Sequence, residues 1–149
     1  MVSDRKITVL LLDDCRSDAR LTALWLRQSR AIGQVELVTH AEAALALLRG
    51  RHLRPESEQP RVVLLDLNLR GTSGFSFLRE LKADPALASI PVVVLSASVF
   101  PEDRRQAAAL QASLFVNKPE DAEEYQQLIE LLDEFCDRHF PPHGQRESR

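Results

Sequence analysis

Five short apolar runs recur along the chain, with amphipathic stretches between them: Ile7–Leu12, Val35–Thr39, Val62–Leu67, Val92–Leu95 and Leu114–Val116. Val62-Val63-Leu64-Leu65 and Val92-Val93-Val94-Leu95 are continuous rather than alternating, the pattern of strands covered on both faces. Between the runs, apolar positions fall at helical spacing. Ser17 is placed to cap a helix carrying Leu21, Leu24 and Trp25. Thr39 and Glu42 fit a capping box ahead of Ala44, Leu45 and Leu48, with a stop near Gly50. Phe75, Leu78 and Leu81 mark a third helix, ended by the Asp84-Pro85 turn. Pro101-Glu102-Asp103 and Pro119-Glu120-Asp121 each open another, with acids in the first turn where the helix dipole favours them. This repeated alternation predicts an α/β, doubly wound domain of five parallel strands and five helices. The polar stretch from Arg51 to Pro60 reads as a loop before the third strand.

Composition narrows the function classes. The 149 residues suit one domain, expected over 1–140 with a polar tail over 141–149. Lys+Arg of 19 against Asp+Glu of 22 gives a net charge of -3, so no basic field favours nucleic acid. The apolar runs stop at charges long before the ~18 residues a membrane helix needs, and the N-terminus has no signal-peptide pattern. Cys15 and Cys136 make neither a metal motif nor a disulfide framework, which predicts a cytoplasmic location. His40, His52, His139 and His143 share no ligand spacing and read as surface or helix-end residues.

Open parallel sheets bind ligands beyond the carboxyl ends of their strands. The residues expected there are Asp13 and Asp14, then Asp66, Ser96 and Lys118. In the flavodoxin-like strand order 2-1-3-4-5, borrowed from that fold type, the first and third strands are neighbours and the three aspartates meet. Crowded carboxylates need protonation or a cation, and an all-oxygen set suits a hard divalent ion such as Mg²⁺. Lys118 is one of only three lysines among 19 basic residues, and its point charge suits a phosphoryl oxygen. Ser96 adds a hydroxyl beside the small Ala97. A carboxylate nucleophile, a metal and a cation around one cavity are the parts of phosphoryl transfer to aspartate.

Four motifs in order, Leu11-Leu12-Asp13-Asp14, Leu64-Leu65-Asp66-Leu67-Asn68, Val94-Leu95-Ser96-Ala97 and Asn117-Lys118-Pro119, resemble the receiver domain of two-component response regulators. The resemblance implies that Asp66 accepts a phosphoryl group from a sensor histidine kinase. It further implies that Asp13 and Asp14 organise Mg²⁺ with the Asn68 carbonyl, and that Ser96 and Lys118 bind the phosphoryl oxygens. Phe115 takes the place of the family's rotameric switch aromatic, here without a hydroxyl; read without the family, it is a core residue. The chain departs from the family at Arg70, where proline is common, before Gly71 and the expected Gly74. Members often have a cis bond before the equivalent of Pro119. A narrower resemblance, to stand-alone regulators paired with bacterial phytochrome kinases, rests on the polar insert and on Leu67-Asn68-Leu69, Leu81-Lys82-Ala83-Asp84-Pro85 and Ile90-Pro91-Val92-Val93-Val94-Leu95-Ser96.

The last helix is expected from Glu120 to Phe140, about 30 Å long. Its stripe of Leu128, Leu132 and Phe135, widened by Ile129, Cys136 and Phe140, exceeds what one sheet face needs. With the family's habit of pairing through the fourth helix, fifth strand and fifth helix, this predicts a homodimer. That same surface would carry the signal. Two rivals stand beside this reading. One is a degenerate receiver used only for protein contacts, which the complete residue set argues against. The other is an aspartate-nucleophile phosphatase, which needs a second acid where this chain has Asn68. The chain is therefore expected to be no enzyme beyond self-catalysed phosphotransfer and autodephosphorylation.

Overall fold

The computed structural model describes residues 6–69 and 73–141. Five strands, β1 (Ile7–Leu12), β2 (Ile32–Val38), β3 (Pro60–Asp66), β4 (Val92–Ser96) and β5 (Leu114–Asn117), form one parallel sheet in the order β2-β1-β3-β4-β5. Helices α1 (Arg16–Leu26), α2 (Ala41–Arg49), α3 (Gly74–Ala83), α4 (Pro101–Ala109) and α5 (Ala122–His139) follow the strands in turn. The fold class and number of helices are as the sequence predicts, and the strand order is the one borrowed from the flavodoxin-like fold type. Arg70 and Gly71, where the loop departs from the family pattern, lie outside the described residues, as does the tail beyond Pro141.

The continuous apolar runs follow from two cores. Val9, Leu11, Val62, Leu64, Val93 and Leu95 face α1 and α5. Their neighbours Leu10, Leu12, Val63, Leu65, Val92 and Val94 face α2, α3 and Ala107 of α4. A period of two sends successive side chains to opposite faces, so a strand covered twice must be apolar at every position. Each such Leu or Val contributes about 1.5–3 kcal/mol by leaving water.

Helix faces differ more from expectation. On α1 the buried residues are Ala19, Thr22 and Leu26, while Leu21 and Leu24 are 46% and 56% exposed. Small residues let α1 lie close to its neighbours, and Trp25 stacks on Tyr125 of α5 at 5.3 Å. Ser17 does not cap α1: Cys15 is the N-cap, and its N–H donates to Asp13 Oδ1 at 3.0 Å. The capping box of α2 also fails, because His40 takes the N-cap place and Thr39 Oγ1 instead meets His40 Nδ1 at 3.0 Å. On α3 the fully buried aromatic is Phe77, with Phe75 only half-buried, and Ser73 caps by accepting from the Ser76 N–H at 3.1 Å.

Edges and insert differ too. The strand β2 begins at Ile32, three residues before the expected Val35, because Gly33 and Gln34 are exposed positions of an edge strand and carry no apolar signal. The segment expected as a plain loop contains two short 3-10 turns, Arg51–Leu53 and Glu56–Glu58. Thr8 Oγ1 donates to the Ser57 carbonyl at 3.1 Å, and Arg54 forks onto Glu36 at 2.9 and 3.2 Å, which fastens the insert to the sheet.

The broad stripe of α5 is consumed within its own protomer. Leu128, Ile129, Leu132, Phe135 and Cys136 are all buried, with Phe140 packed against them. The helix lies against both the sheet and α1, so it needs two apolar flanks. Its C-terminal half is strapped to the α1–β2 turn: Ser29 Oγ donates to Asp133 Oδ1 at 2.5 Å, and Arg30 forks onto Asp137 at 2.6 and 3.1 Å. The surplus from which dimerisation was expected is therefore not exposed.

One prediction arises from this core. Burial among α5 residues, then the nearby Asp133 and Asp137 charges, push the Cys136 thiol up to about 12. At pH 8 about one molecule in 10⁴ would carry the thiolate there. Native protein should therefore release one equivalent of chromophore from an aromatic disulfide reagent, from half-buried Cys15 alone. The second equivalent should appear only in denaturant; two fast equivalents from the native chain would contradict the packing of α5.

Candidate functional site

Strand register builds the site. Leu12 pairs with Leu65 and Asp66 pairs with Leu95, so at the ends of three adjacent strands Asp13 comes level with Asp66, and Ser96 stands one residue beyond. Ser96 in turn pairs with Asn117, which puts Lys118 one residue beyond the end of β5. The Lys118 N–H donates to the Ser96 carbonyl at 2.9 Å and continues that ladder past the strand.

One carboxylate oxygen from each of Asp13, Asp14 and Asp66 lies within 4.8 Å of the others. Asp13 and Asp66 are 2% and 4% exposed; Asp14 is half-buried. Lys118 Nζ reaches Asp66 Oδ2 at 3.2 Å and Asp13 Oδ2 at 3.3 Å. It also reaches Asp18 Oδ2 at 3.6 Å, a member of the cluster that the sequence reading missed. The signal for it was present, since Asp18 stands four residues after Asp14 in the first turn of α1.

The electrostatics follow from burial and crowding. Burial pushes the Asp66 carboxyl above its ordinary value; the Asn68 N–H at 3.1 Å and the Lys118 charge pull it back in part, and Asp13 pushes it up again. For Lys118, burial pulls the ammonium down, but Asp66 and Asp13 together outweigh it and hold it above its ordinary value. Several carboxylates face a single ammonium among the described residues, so negative charge is in excess. A compact, all-oxygen donor set with surplus negative charge fits a hard divalent cation. Asp13, Asp14 and Asp66 are the side chains that could hold one. Asn68 is exposed at the site's rim, and its backbone N–H is engaged by Asp66.

The remaining expected residues, Ser96 and Phe115, stand on the adjacent strands β4 and β5. Ser96 is fully buried, and its Oγ accepts the Ser98 N–H at 3.0 Å. Phe115 is half-buried on β5, packed against the α2–α3 core. No cis peptide occurs among the described residues, so the Lys118–Pro119 bond is trans.

Gly74 carries part of the geometry. A Cβ there would stand 2.6 Å from Leu67 Cα and 2.9 Å from the Asp66 carbonyl oxygen, both backbone atoms that cannot swing aside. Gly74→Ala should therefore lower unfolding free energy in urea by about 2–3 kcal/mol. A loss under 0.5 kcal/mol would show that this close approach is not needed.

Comparison with known proteins agrees with the geometry. Response regulator Rcp1 of Synechocystis sp. is 29% identical over 127 residues, covering 85% of this chain and 86% of Rcp1. Its Mn²⁺-bound crystal structure matches with a TM-score of 0.69. The phosphorylated cyanobacterial phytochrome response regulator RcpA matches with a TM-score of 0.71 at 30% identity, covering 89% of this chain and 92% of RcpA. The bacteriophytochrome response regulator RtBRR matches at 0.69 with 29% identity, over 86% of this chain and 77% of RtBRR. A family model, the response regulator receiver domain, spans residues 9–130. With that span added to the aspartate–lysine cluster at the strand ends, the chain belongs to the receiver-domain family of response regulators.

Proposed function

We propose that this protein takes a phosphoryl group on Asp66 from a sensor histidine kinase, in the presence of Mg²⁺. The observation that carries the reading is the convergence of Asp13, Asp14 and Asp66 on one point, with Lys118 Nζ between Asp13 and Asp66. A carboxylate oxygen of Asp66 attacks phosphorus while the P–N bond to the kinase imidazole breaks. The bond's electron pair stays with the imidazole nitrogen, and an acyl phosphate results. Asp13 and Asp14 would hold Mg²⁺ with the Asn68 carbonyl, and the ion when bound offsets charge on the phosphoryl oxygens. Lys118 supplies a fixed positive charge to those oxygens, and Ser96 offers its hydroxyl. Water later hydrolyses the acyl phosphate, so the only turnover is the protein's own autodephosphorylation.

The signal would pass through α4, β5 and α5 as a population shift, with Ser96 and Phe115 as its switch residues. A homodimer on this surface draws its apolar area from Val99 and Phe100, which are 84% and 64% exposed, rather than from α5. Among the described residues no helix is long and apolar enough to cross a membrane, and a cytoplasmic kinase domain is the expected donor. RcpA and RtBRR are phytochrome regulators, which supports a phytochrome-type kinase as that donor. Incubation with acetyl phosphate and Mg²⁺ should add one phosphoryl mass to the intact protein, and chelation should prevent it. No gain from acetyl phosphate or from any co-purified kinase would leave the degenerate receiver as the better reading.

A further inference from the structure

Phe115 has no hydroxyl, so beyond its packing against the α2–α3 core the ring has no hydrogen bond of its own to fix it on β5. Arg104 of α4 supplies the hold. Its guanidinium lies 4.6 Å from the Phe115 ring centroid, and Nη1 donates to the Phe115 carbonyl at 3.1 Å. One exposed side chain thus grips both the ring and the backbone of the same residue.

The helix that carries Arg104 is otherwise thinly attached. Ala107 is the only buried residue of α4. Its other polar tie is the Ser98 hydroxyl donating to Asp103, and the same oxygen accepts the Phe100 N–H at 3.1 Å. Ser98 is also tied backward, through its own N–H, to Ser96 Oγ at 3.0 Å. Rotation of Ser96 about its Cα–Cβ bond gives up that last contact and frees the turn that anchors Asp103. A cavity of about 270 Å³ lined by Val99, Phe100, Pro101, Arg104 and Phe115 lies at this junction and leaves room for rearrangement.

We propose that Arg104 is the positioning residue of the switch, a latch that holds Phe115 and the first turn of α4 in the arrangement opposing phosphorylation. The inference rests on the reading of Asp66 as acceptor and Ser96 as sensor. Linkage makes it testable: a contact present only in the latched state must be paid back by whatever binds the other state. Loosening the latch therefore strengthens binding of a phosphoryl mimic.

The probe is beryllium trifluoride with Mg²⁺, titrated against the full chain. Arg104→Ala should tighten its apparent affinity about tenfold, the combined worth of an exposed cation–π contact and a carbonyl hydrogen bond. Arg104→Lys keeps the charge without the flat fork and should give about two- to threefold. In a Phe115→Ala background, Arg104→Ala should add only about two- to fivefold, because the ring contact is already gone and only the hydrogen bond to the residue-115 carbonyl remains to be lost. Hydrogen exchange of α4 amides should quicken in Arg104→Ala while that of α5 stays unchanged. Binding within twofold of wild type, or an equal tightening without the Phe115 ring, overturns the latch alone. A wild type that takes neither beryllium trifluoride nor the phosphoryl of acetyl phosphate overturns the function and the latch together.

Discussion

Asp66→Asn should take up no phosphoryl group from acetyl phosphate or from a kinase, while remaining folded. An amide oxygen is too weak a nucleophile to form the acyl phosphate, so the loss is complete rather than graded. The fold should survive because Asn matches Asp in shape and its carbonyl can still accept the Asn68 N–H, now 3.1 Å from Asp66 Oδ1. Lys118 would keep Asp13 at 3.3 Å as a partner. Stability should rise. The Asp66 carboxyl titrates above its ordinary value, so the folded chain binds that proton more tightly than the unfolded chain does. Ionising it therefore costs stability as pH climbs past the ordinary carboxylate range, and at pH 7 the amide avoids that cost. A thermal scan should give a Tm above wild type, with mass spectrometry showing no phosphoryl gain. A variant that still gained the mass would move the acceptor elsewhere.

Lys118→Met should be the most destabilising change at the site. It leaves Asp13 and Asp66, both nearly buried, with no cation at 3.2–3.3 Å. Removing one partner of a buried pair costs about 3–5 kcal/mol, and partial protonation of the crowded carboxylates keeps the expected loss near ~3 kcal/mol. In a chain of this length that lowers Tm by about 6–12 °C. Millimolar Mg²⁺ should restore much of the loss, because the carboxylates freed of Lys118 are the cation's own ligand set. Phosphoryl acceptance should fall about 100-fold even with Mg²⁺ present, since a fixed charge on the phosphoryl oxygens is gone. A Tm unchanged by the substitution and indifferent to Mg²⁺ would mean that Lys118 does not neutralise this pocket.

Much of the molecule was legible in the residues. Val62–Leu65 and Val92–Leu95 announced strands covered on both sides, and the strand-end positions of Asp13, Asp66, Ser96 and Lys118 followed from where those runs stop. What misled was local. Leu21, Leu24 and Phe75 have helical spacing, yet Ala19, Thr22 and Phe77 hold the interior. Periodicity finds an apolar stripe, but where a helix is apolar on more than one side its neighbours decide which stripe is covered. The Thr39–Glu42 box met a similar limit, because the chain enters α2 through His40 and leaves Thr39 outside the cap.

The groups that tie elements together were invisible for a different reason. Asp133 meets Ser29 across 104 residues, and Arg104 meets Phe115 across 11, from α4 to the strand β5 that follows it. No periodic pattern records such pairs. The sequence by itself determined the kind of sheet, the order of strands and helices along the chain, and which carboxylates could gather. Hydrophobic runs and strand ends are local properties, written wherever burial demands them. Only the tertiary structure decided that Lys118 also faces Asp18, that the wide stripe of α5 is spent on α1 as well as on the sheet, and that Arg104 grips Phe115. Those outcomes depend on how separate elements pack, and the energy of a contact exists only after both partners have been brought together.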